Sequence, residues 1–358
     1  MYINLSIFTQ VFFMQKVDYI IVGNGYAGMF LAHQLLMAGK SFRMFGGRFA
    51  GASHVSAGVV NPVVLKKFTT FWLAQEQIDS LKKTLTEMKG YIGKKFYIDE
   101  PVCRIFHDDN EKSLWEKKRE TESLSPFLSS QFAKLQGITN NHGVGTVLQS
   151  GRLDVHEFFA SVSAFLYRNK YLIDEPFRYE HLDPTSCKYG DLHYGAIIFC
   201  EGMGVLNNPF FNHIPVQPNK GHHLKVNLSS DLNLSFTLKK KHFLFPLDNG
   251  KYYYGGTYDR HQLDQGTDAS AVEELTGGLK LLYPHDFEVA EVNYGFRPTV
   301  RDRRPILGVH PDYKNMFVFN GLGARGILNG NYFAEILFSH MEFGTDIPVE
   351  VDLKRFTQ

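Results

Sequence analysis

Residues 17–47 of the chain, VDYIIVGNGYAGMFLAHQLLMAGKSFRMFGG, decide its fold. Residues 19–22 are β-branched or aromatic and show no polar face, which is typical of a parallel strand buried on both sides. Three glycines in the spacing G-x-G-x-x-G follow this strand, and an apolar helix of about Tyr26 to Met37 follows the glycines. A strand, a glycine turn and a helix in immediate succession predict a unit that binds a dinucleotide.

Each glycine of the turn has its own physical role in such a unit. Gly23 makes the tight turn out of the strand, and Gly25 lacks a Cβ, so a pyrophosphate can approach the backbone. Gly28 lets the helix pack closely on the sheet. Tyr26 and Ala27 open the helix, where free N–H groups and the positive end of the helix dipole face the phosphates. A purely structural glycine turn is the alternative, and the strand and helix on either side favour the dinucleotide site.

One part of the usual dinucleotide fingerprint is missing. The second strand, Ser41 to Phe45, should end in an acidic residue that binds the adenosine ribose, and Gly46 stands in that place. Either backbone groups or residues after Arg48 hold the ribose, or the affinity for the cofactor is weaker than usual. The sequence leaves these alternatives open.

The composition excludes several classes of protein. The 358 residues suffice for two domains, and 38 basic against 37 acidic side chains predict no nucleic-acid partner and no attraction to membranes. The three cysteines form no CxxC pair, so we expect reduced thiols and a cytoplasmic location. No metal site is expected, because the histidine pair at 222–223 lacks further ligands at a suitable spacing.

The beginning of the chain does not fit a targeting segment. Residues 1–13, MYINLSIFTQVFF, carry no basic region and no small-residue cleavage site, and they are too short to cross a bilayer. We expect the natural start to lie near Met14, with the preceding residues as an upstream extension. No other stretch reaches the length of a transmembrane helix.

Patterns further along the chain predict a second region of different character. A helix capped by Asp154 leads to another buried apolar strand at residues 195–202, which ends in glycine. Between residues 216 and 292, short aromatic or alternating runs predict antiparallel strands, with a hairpin turn at 248–250. We therefore expect an α/β chain, α+β overall, with a Rossmann-like domain and a second domain built on an antiparallel β-sheet. The expected boundaries are 14–90, 151–215 and 295–358 for the first, discontinuous domain, and 91–150 and 216–294 for the second.

Four separated segments, in this order, resemble the D-amino-acid oxidase family of flavoproteins, which includes glycine oxidase, sarcosine oxidase and D-amino-acid dehydrogenase. The first is the N-terminal glycine turn, and the second is the small-residue loop at 52–58. The third combines P-N-K-G at 218–221 with G-G-T-Y-D at 255–259, and the fourth combines G-F-R-P at 295–298 with the glycine-rich turn at 321–326. Together they cover most of the chain from Val17 onward.

The resemblance implies noncovalently bound FAD, so that the first domain is an FAD-binding domain. It places residues 52–58 beside the flavin ring, and it places backbone N–H groups of residues 323–327 at the flavin edge where negative charge develops. Beyond the glycine turn, the cofactor-binding residues expected on these grounds are Ser53, Ala57, Gly58, Gly202, Gly323, Ala324, Gly326 and Ile327.

The resemblance also implies two catalytic arginines. Arg297, in G-F-R-P, matches the family position that binds the substrate carboxylate, for which a planar guanidinium is suited. A surface ion pair is the alternative role for Arg297. By similarity to glycine oxidase, Arg325 would reach the substrate side of the flavin. The family often has a tyrosine in the strand that holds residues 242–245 here, and its absence predicts a more apolar pocket. Tyrosines at 252–254 and 258 stay open as sources of a hydroxyl, because strand alternation sends only some of them inward.

Three functions remain open at this stage. The first is an FAD-dependent oxidoreductase that oxidises a D-amino acid, glycine, an N-substituted amino acid or another small amine by hydride transfer to flavin N5. The second is a tRNA-modifying oxidase that acts on carboxymethylaminomethyl uridine. The third is a flavin-binding protein without turnover. Oxygen and a quinone are both open as the electron acceptor.

Overall fold

The computed structural model describes residues 16–47 and 51–356 of the chain. Met14, the expected start, lies outside these residues.

Six α-helices are present in the described residues. They are α1 (Tyr26–Met37), α2 (Ala74–Ile92), α3 (Asp109–Arg119), α4 (Val155–Arg168), α5 (Ala269–Leu282) and α6 (Gly326–Phe343). The predicted cap of α4 is confirmed, because the Asp154 carboxylate accepts a hydrogen bond of 2.9 Å from the backbone N–H of Glu157. No helix in these parts of the chain is both long and apolar enough to cross a membrane.

The strands belong to two large sheets and two small ones. In chain order they are β1 (Lys16–Val22), β2 (Phe42–Phe45), β3 (Val59–Val60), β4 (Val63–Val64), β5 (Thr69–Thr70), β6 (Tyr97–Ile98), β7 (Val102–Ile105), β8 (Leu128–Ala133), β9 (Val144–Val147), β10 (Gly151–Leu153), β11 (Leu172–Ile173), β12 (Leu182–Asp183), β13 (Lys188–Tyr189), β14 (Leu192–Phe199), β15 (Gln217–Leu228), β16 (Thr237–Lys239), β17 (Phe243–Pro246), β18 (Tyr252–Gly255), β19 (Phe287–Thr299), β20 (Ile306–Val309) and β21 (Met316–Asn320).

The first large sheet is parallel at its centre. β1 lies between β2 and β14, and β21 pairs in parallel with the other side of β14. Ile20 and Ile21 in β1 are fully buried on opposite faces, as the unbroken apolar run predicts. α1 and α6 pack against each other beside this sheet. Strands from three distant parts of the chain therefore build one sheet, and the predicted fold class is confirmed.

The turn after β1 has the shape that its glycines predict. Gly23 has a φ of +112°, a backbone conformation that residues with a Cβ rarely adopt. A Cβ on Gly28 would lie 2.0 Å from the carbonyl oxygen of Gly23, so only glycine allows α1 to start this close to the turn. α1 begins at Tyr26 and ends at Met37, the limits expected from the sequence.

The second large sheet has the order β19-β15-β18-β17-β16-β7-β9-β8 and is antiparallel except where β16 meets β7. α5 packs on one face of it through Leu275 and Leu279, which are fully buried. The opposite face looks toward the carboxyl ends of the parallel strands. The expected domain boundary at residue 295 falls inside β19, which continues to Thr299, and the domain limits stay a prediction.

Candidate functional site: a cavity between the two sheets

A cavity of about 380 Å³ separates the carboxyl edge of the parallel sheet from the antiparallel sheet. Residues directly after β1 and β14, and the last residues of β21, line one side of it. β15, β17, β18 and β19 supply the opposite wall, and the loop at 51–59 forms a third side. Ligands in open α/β sheets bind beyond the carboxyl ends of the strands, so the position of this cavity is typical of a cofactor and substrate site.

The cavity brings together nearly every residue that the sequence nominates for the cofactor. The ones that line it are Gly23, Gly25, Tyr26, Ala27, Ser53, Ala57, Gly58, Gly202, Gly323, Ala324, Gly326 and Ile327. Gly28 does not line it, because this residue lies behind the turn against the carbonyl of Gly23. Both nominated arginines, Arg297 and Arg325, also line the cavity.

At the α1 end, backbone groups and small side chains shape the wall. The backbone N–H of Tyr26 donates to Ser53 Oγ at 3.2 Å, and the Tyr26 hydroxyl lies 2.7 Å from Ser56 Oγ. These contacts hold the loop at 51–58 against the start of the helix. The ring of Tyr26 is buried against Phe30 and Phe159, and this burial raises the pKa of Tyr26. Tyr26 therefore offers its backbone to the cavity and its ring to the core.

The place of the missing ribose acid is filled by Asn24. A Cβ on Gly46 would lie 2.7 Å from the Asn24 side chain, so an acidic residue at position 46 would collide with it. Asn24 also lines the cavity. A carboxamide both donates and accepts hydrogen bonds, and here it lies next to the position from which an acid usually binds the ribose. The glycine turn and the helix N-terminus at the cavity wall fit a dinucleotide cofactor.

The guanidinium of Arg297 lies flat against a glycine in the neighbouring strand. A Cβ on Gly221 would lie 2.3 Å from both Nη1 and Nη2 of Arg297, so only glycine leaves room for it. Nη1 donates to Asn219 Oδ1 and to the carbonyl of Thr257, both at 3.1 Å. The guanidinium carbon lies 4.3 Å from the centre of the Tyr258 ring. Arg297 is thus held between Gly221 and Tyr258, and it lines the cavity.

Arg325 lies on the other side of the cavity at the start of α6. Its Nη1 donates to the carbonyl of Asn61 at 2.7 Å, and its guanidinium carbon lies 4.2 Å from the centre of the Phe71 ring. Burial lowers the pKa of Arg325 to about 10, so the side chain remains charged at neutral pH. The first turn of α6 begins at Gly326 and presents its free N–H groups at the cavity.

Strand alternation decides which tyrosine reaches the cavity. Tyr253 lines the cavity, whereas Tyr252 and Tyr254 point to the α5 side of the sheet. The Tyr253 ring is stacked between Phe245 and His223, with ring centres 4.6 and 4.5 Å away. Burial, together with the charges of Lys225 and Arg297, lowers the pKa of His223 to about 3, so this imidazole is neutral at physiological pH.

Two other residues of this wall are not among the site residues that the sequence predicts. Phe243 lines the cavity in the strand where the resemblance leads one to look for a tyrosine. Lys239, at the end of β16, lines it as well. No sequence motif surrounds Lys239, and only the pairing of Lys239 with Phe243 across β16 and β17 shows that both face the same side.

The cysteines and histidines do not suggest other chemistry at this site. Cys103, Cys187 and Cys200 are unpaired, and burial raises the pKa of Cys200, the one that lines the cavity. Within the described ranges, no group of three His, Cys, Asp or Glu side chains is arranged to hold a metal ion.

Comparisons with known proteins show what the chain is similar to. Two curated proteins that match are tRNA 5-methylaminomethyl-2-thiouridine biosynthesis bifunctional proteins from two strains of Leptospira borgpetersenii serovar Hardjo-bovis. Each is 29% identical over 194 residues, which are 44% of this chain and 30% of that protein. The match therefore spans less than a third of the bifunctional protein.

Solved structures show the same fold at low sequence identity. Glycine oxidase from Geobacillus kaustophilus has a TM-score of 0.77 at 18% identity, with 96% of this chain and 98% of that chain covered. Iminodiacetate oxidase from Chelativorans sp. BNC1 has a TM-score of 0.73 at 18% identity, with 95% and 98% covered. The family model described as FAD dependent oxidoreductase matches residues 18–339. The chain therefore belongs to the D-amino-acid oxidase family of FAD-dependent oxidoreductases, and FAD is its cofactor.

Proposed function

We propose that this oxidoreductase oxidises an amino acid or a related amine at the carbon next to nitrogen, and that Arg297 binds the carboxylate of the substrate. The proposal rests on the lack of a carboxylate partner for the Arg297 guanidinium among the described residues. This guanidinium lines the cavity, and no carboxylate in the described residues lies within 4.0 Å of it. A cation in a partly desolvated cavity favours an anionic ligand, because burial removes the water that would otherwise solvate its charge.

The hydrogen bonds of Arg297 leave part of its fork available. Both protein acceptors, Asn219 Oδ1 and the Thr257 carbonyl, bind the same nitrogen, Nη1. In the described part of the chain, Nη2 has no protein acceptor. These neutral acceptors hold the guanidinium in position without neutralising it, so a substrate carboxylate is the strongest available partner.

The protein's own contribution to the reaction is orientation and electrostatics. When bound, FAD supplies the acceptor for the hydride that leaves the substrate carbon. Arg297 would fix the carboxylate and thereby the direction of the neighbouring carbon–hydrogen bond. The first N–H groups of α6 and the positive end of its dipole would stabilise negative charge on the cofactor edge that they face. Arg325 would support this same side of the cavity, where its stacking on Phe71 and its bond to Asn61 hold it in place.

Anaerobic reduction of the flavin by a panel of compounds tests the proposal. The panel contains D- and L-amino acids, N-methyl amino acids and the corresponding α-hydroxy acids, and bleaching of the yellow flavin absorbance is the measurement. We expect bleaching with at least one amino compound and none with the matching hydroxy acid. Bleaching by hydroxy acids alone would contradict amine oxidation, and no bleaching by any compound would favour a flavin-binding protein without turnover. Repeating the successful reaction with oxygen or with a quinone identifies the electron acceptor.

A second candidate function is oxidation of carboxymethylaminomethyl uridine in tRNA. The 29% identity over 194 residues to the tRNA biosynthesis proteins favours it, and Arg297 could bind the carboxymethyl carboxylate in the same way. The near balance of 38 basic and 37 acidic residues does not favour a polyanionic substrate. We expect activity on modified tRNA, if present, to fall steeply with salt concentration, because phosphate contacts release counterions. Turnover of free amino acids without tRNA binding at low salt would exclude this function.

A cytoplasmic location is also part of the proposal. It is supported by the three unpaired cysteines, since thiols persist in a reducing compartment. Fractionation of cells that express the chain, followed by detection of the flavoprotein, checks it.

A further inference from the structure

Lys239 is a cation on the cavity wall without a carboxylate partner. Its Nζ lies 4.0 Å from the centre of the Phe243 ring and donates to the carbonyl of Lys241 at 2.8 Å. No described carboxylate oxygen lies within 4.0 Å of this nitrogen. Other lysines of the same sheet differ, since Lys220 pairs with Asp268 at 2.6 Å and Lys225 pairs with Glu291 at 2.6 Å.

The surroundings of Lys239 make its positive charge costly. Burial and, to a smaller extent, the nearby positive charge of Arg104 lower the pKa of Lys239 to about 7. The contact with the Phe243 ring and one neutral carbonyl offset only part of the lost hydration. An anion that enters the cavity beside Lys239 would restore the missing counter-charge, and it would shift the lysine toward its protonated form.

The pairing of the strands gives the position of Lys239 relative to Arg297. Lys239 pairs with Phe243, and Phe243 pairs with Gly255, so Lys239 and Gly255 lie two strands apart and face the same side. This corresponds to about 10 Å between their backbones. Arg297 reaches the next residue, since a Cβ on Gly256 would lie 3.2 Å from its Nη2. Two cations without carboxylate partners therefore lie on either side of the Phe243 and Gly255 part of the wall.

We propose that Lys239 binds a second acidic group of the substrate, so that the enzyme prefers amino compounds with two carboxylates over compounds with one. The inference rests on the proposed function, in which Arg297 binds the carboxylate next to the reacting carbon. Lys239 would then bind a carboxylate several bonds away, at the place where Phe243 offers no hydroxyl. The chemical class is a dicarboxylic amino acid or an N-carboxymethyl amino acid.

Matched substrates test this inference. Aspartate is compared with asparagine, glutamate with glutamine, and iminodiacetate with sarcosine, each in every available stereoisomer, by anaerobic flavin reduction. In the parent enzyme, we expect kcat/KM for the better diacid to exceed that for its partner by at least tenfold. In Lys239→Met we expect this ratio to fall below threefold, with FAD content unchanged. Lys225→Met is the matched control, because Lys225 already has Glu291 as its partner, and it should keep the parental ratio.

The pH dependence gives a second readout. Binding of the second carboxylate needs protonated Lys239, so the diacid preference should be full below pH 7 and should decline as pH rises through the pKa of about 7. The charged and titratable groups around Lys239 do not produce such a decline. Arg104 is bound to Glu111, Tyr253 has a raised pKa, and His223 is already neutral, because its pKa is about 3. Burial and the charge of Lys239 lower the pKa of His242 below its usual value, so His242 is also neutral where the decline is expected.

Thermal unfolding separates a binding role from a structural one. Lys239→Met should unfold at a temperature equal to or above that of the parent when no substrate is present, because it removes an unpaired buried charge. Succinate should raise the unfolding temperature of the parent more than butyrate does, and Lys239→Met should lose this difference. Equal kcat/KM for diacids and their partners in the parent, with bleaching by both, would overturn the role of Lys239 and leave the proposed function intact. No bleaching by any amino compound would overturn the proposed function and the inference that depends on it.

Discussion

The two ends of the cavity are built by different means. At the α1 end the wall consists of backbone and small residues, with Gly23, Gly25 and Ser53 around the helix N-terminus. At the antiparallel sheet the wall consists of long side chains, with Arg297 and Tyr253 held by packing against neighbouring strands. The first end therefore depends on the absence of side-chain atoms, whereas the second depends on particular functional groups.

This difference determines how each end should respond to substitution. Adding atoms at the α1 end should remove the cofactor, because the pyrophosphate must approach the backbone. Removing a functional group from the sheet should leave the cofactor in place and change only the substrate kinetics. The two ends thus predict separable phenotypes, which the following substitutions test.

Gly25→Val should have the largest effect. The added side chain would begin 3.1 Å from Ser53 Oγ and would occupy the place where the phosphates approach the turn. We expect nearly complete loss of bound FAD, measured as the ratio of flavin to protein absorbance, with a folded chain by circular dichroism. Gly90→Val in α2 is the control, because no atom lies within 4 Å of a Cβ at that position. A Gly25→Val protein that retains FAD as the parent does would mean that the phosphates bind elsewhere.

Tyr253→Phe should have a smaller effect, confined to kinetics. Tyr253 lines the cavity, and a Cβ on the lining residue Gly256 would lie 3.7 Å from its hydroxyl. Loss of one neutral hydrogen bond to the substrate costs about 1 kcal/mol, or about fivefold in kcat/KM. FAD content should not change. Tyr254→Phe, on the opposite face of the same strand, should leave kcat/KM within twofold of the parent. Similar losses in both variants would indicate that these tyrosines act through the stability of the sheet.

The α1 end was predictable because its determinants are neighbours in the sequence. The glycine spacing and the apolar run before it specify the turn, and α1 begins and ends where the pattern predicts. Even there, one feature depends on tertiary contacts that the sequence does not show. The glycine at position 46 does not reveal that the Asn24 side chain fills the place of the usual acid.

The wall at the antiparallel sheet was predictable only in part, because its residues come together from several strands. G-F-R-P nominates Arg297, but its acceptors Asn219 and Thr257 lie 78 and 40 residues away along the chain. Alternation predicts that neighbouring tyrosines at 252–254 point to opposite faces, but it does not say which one faces the cavity. The position of Lys239 depends on strand register and on the absence of a nearby carboxylate, and neither is visible in a single sequence.

The role that we propose for Arg297 is to bind the carboxylate of the substrate. Loss of a charge-assisted contact in a desolvated pocket should cost about 2 to 5 kcal/mol of transition-state binding. Arg297→Ala should therefore lower kcat/KM for amino acids by roughly 1.4 to 3.6 powers of ten, at about 1.4 kcal/mol per tenfold. Arg297→Lys should recover only part of this loss, because a point charge lacks the planar fork.

The most direct measurement compares each amino acid that reduces the flavin with the amine that lacks its carboxylate, in the parent enzyme and in Arg297→Ala. We predict a large loss with the amino acid, a far smaller change with the amine, and the same FAD content in both proteins. Equal losses with the two substrates would contradict the account, because Arg297 would then support the fold or the cofactor, and Arg325 would become the candidate for the carboxylate.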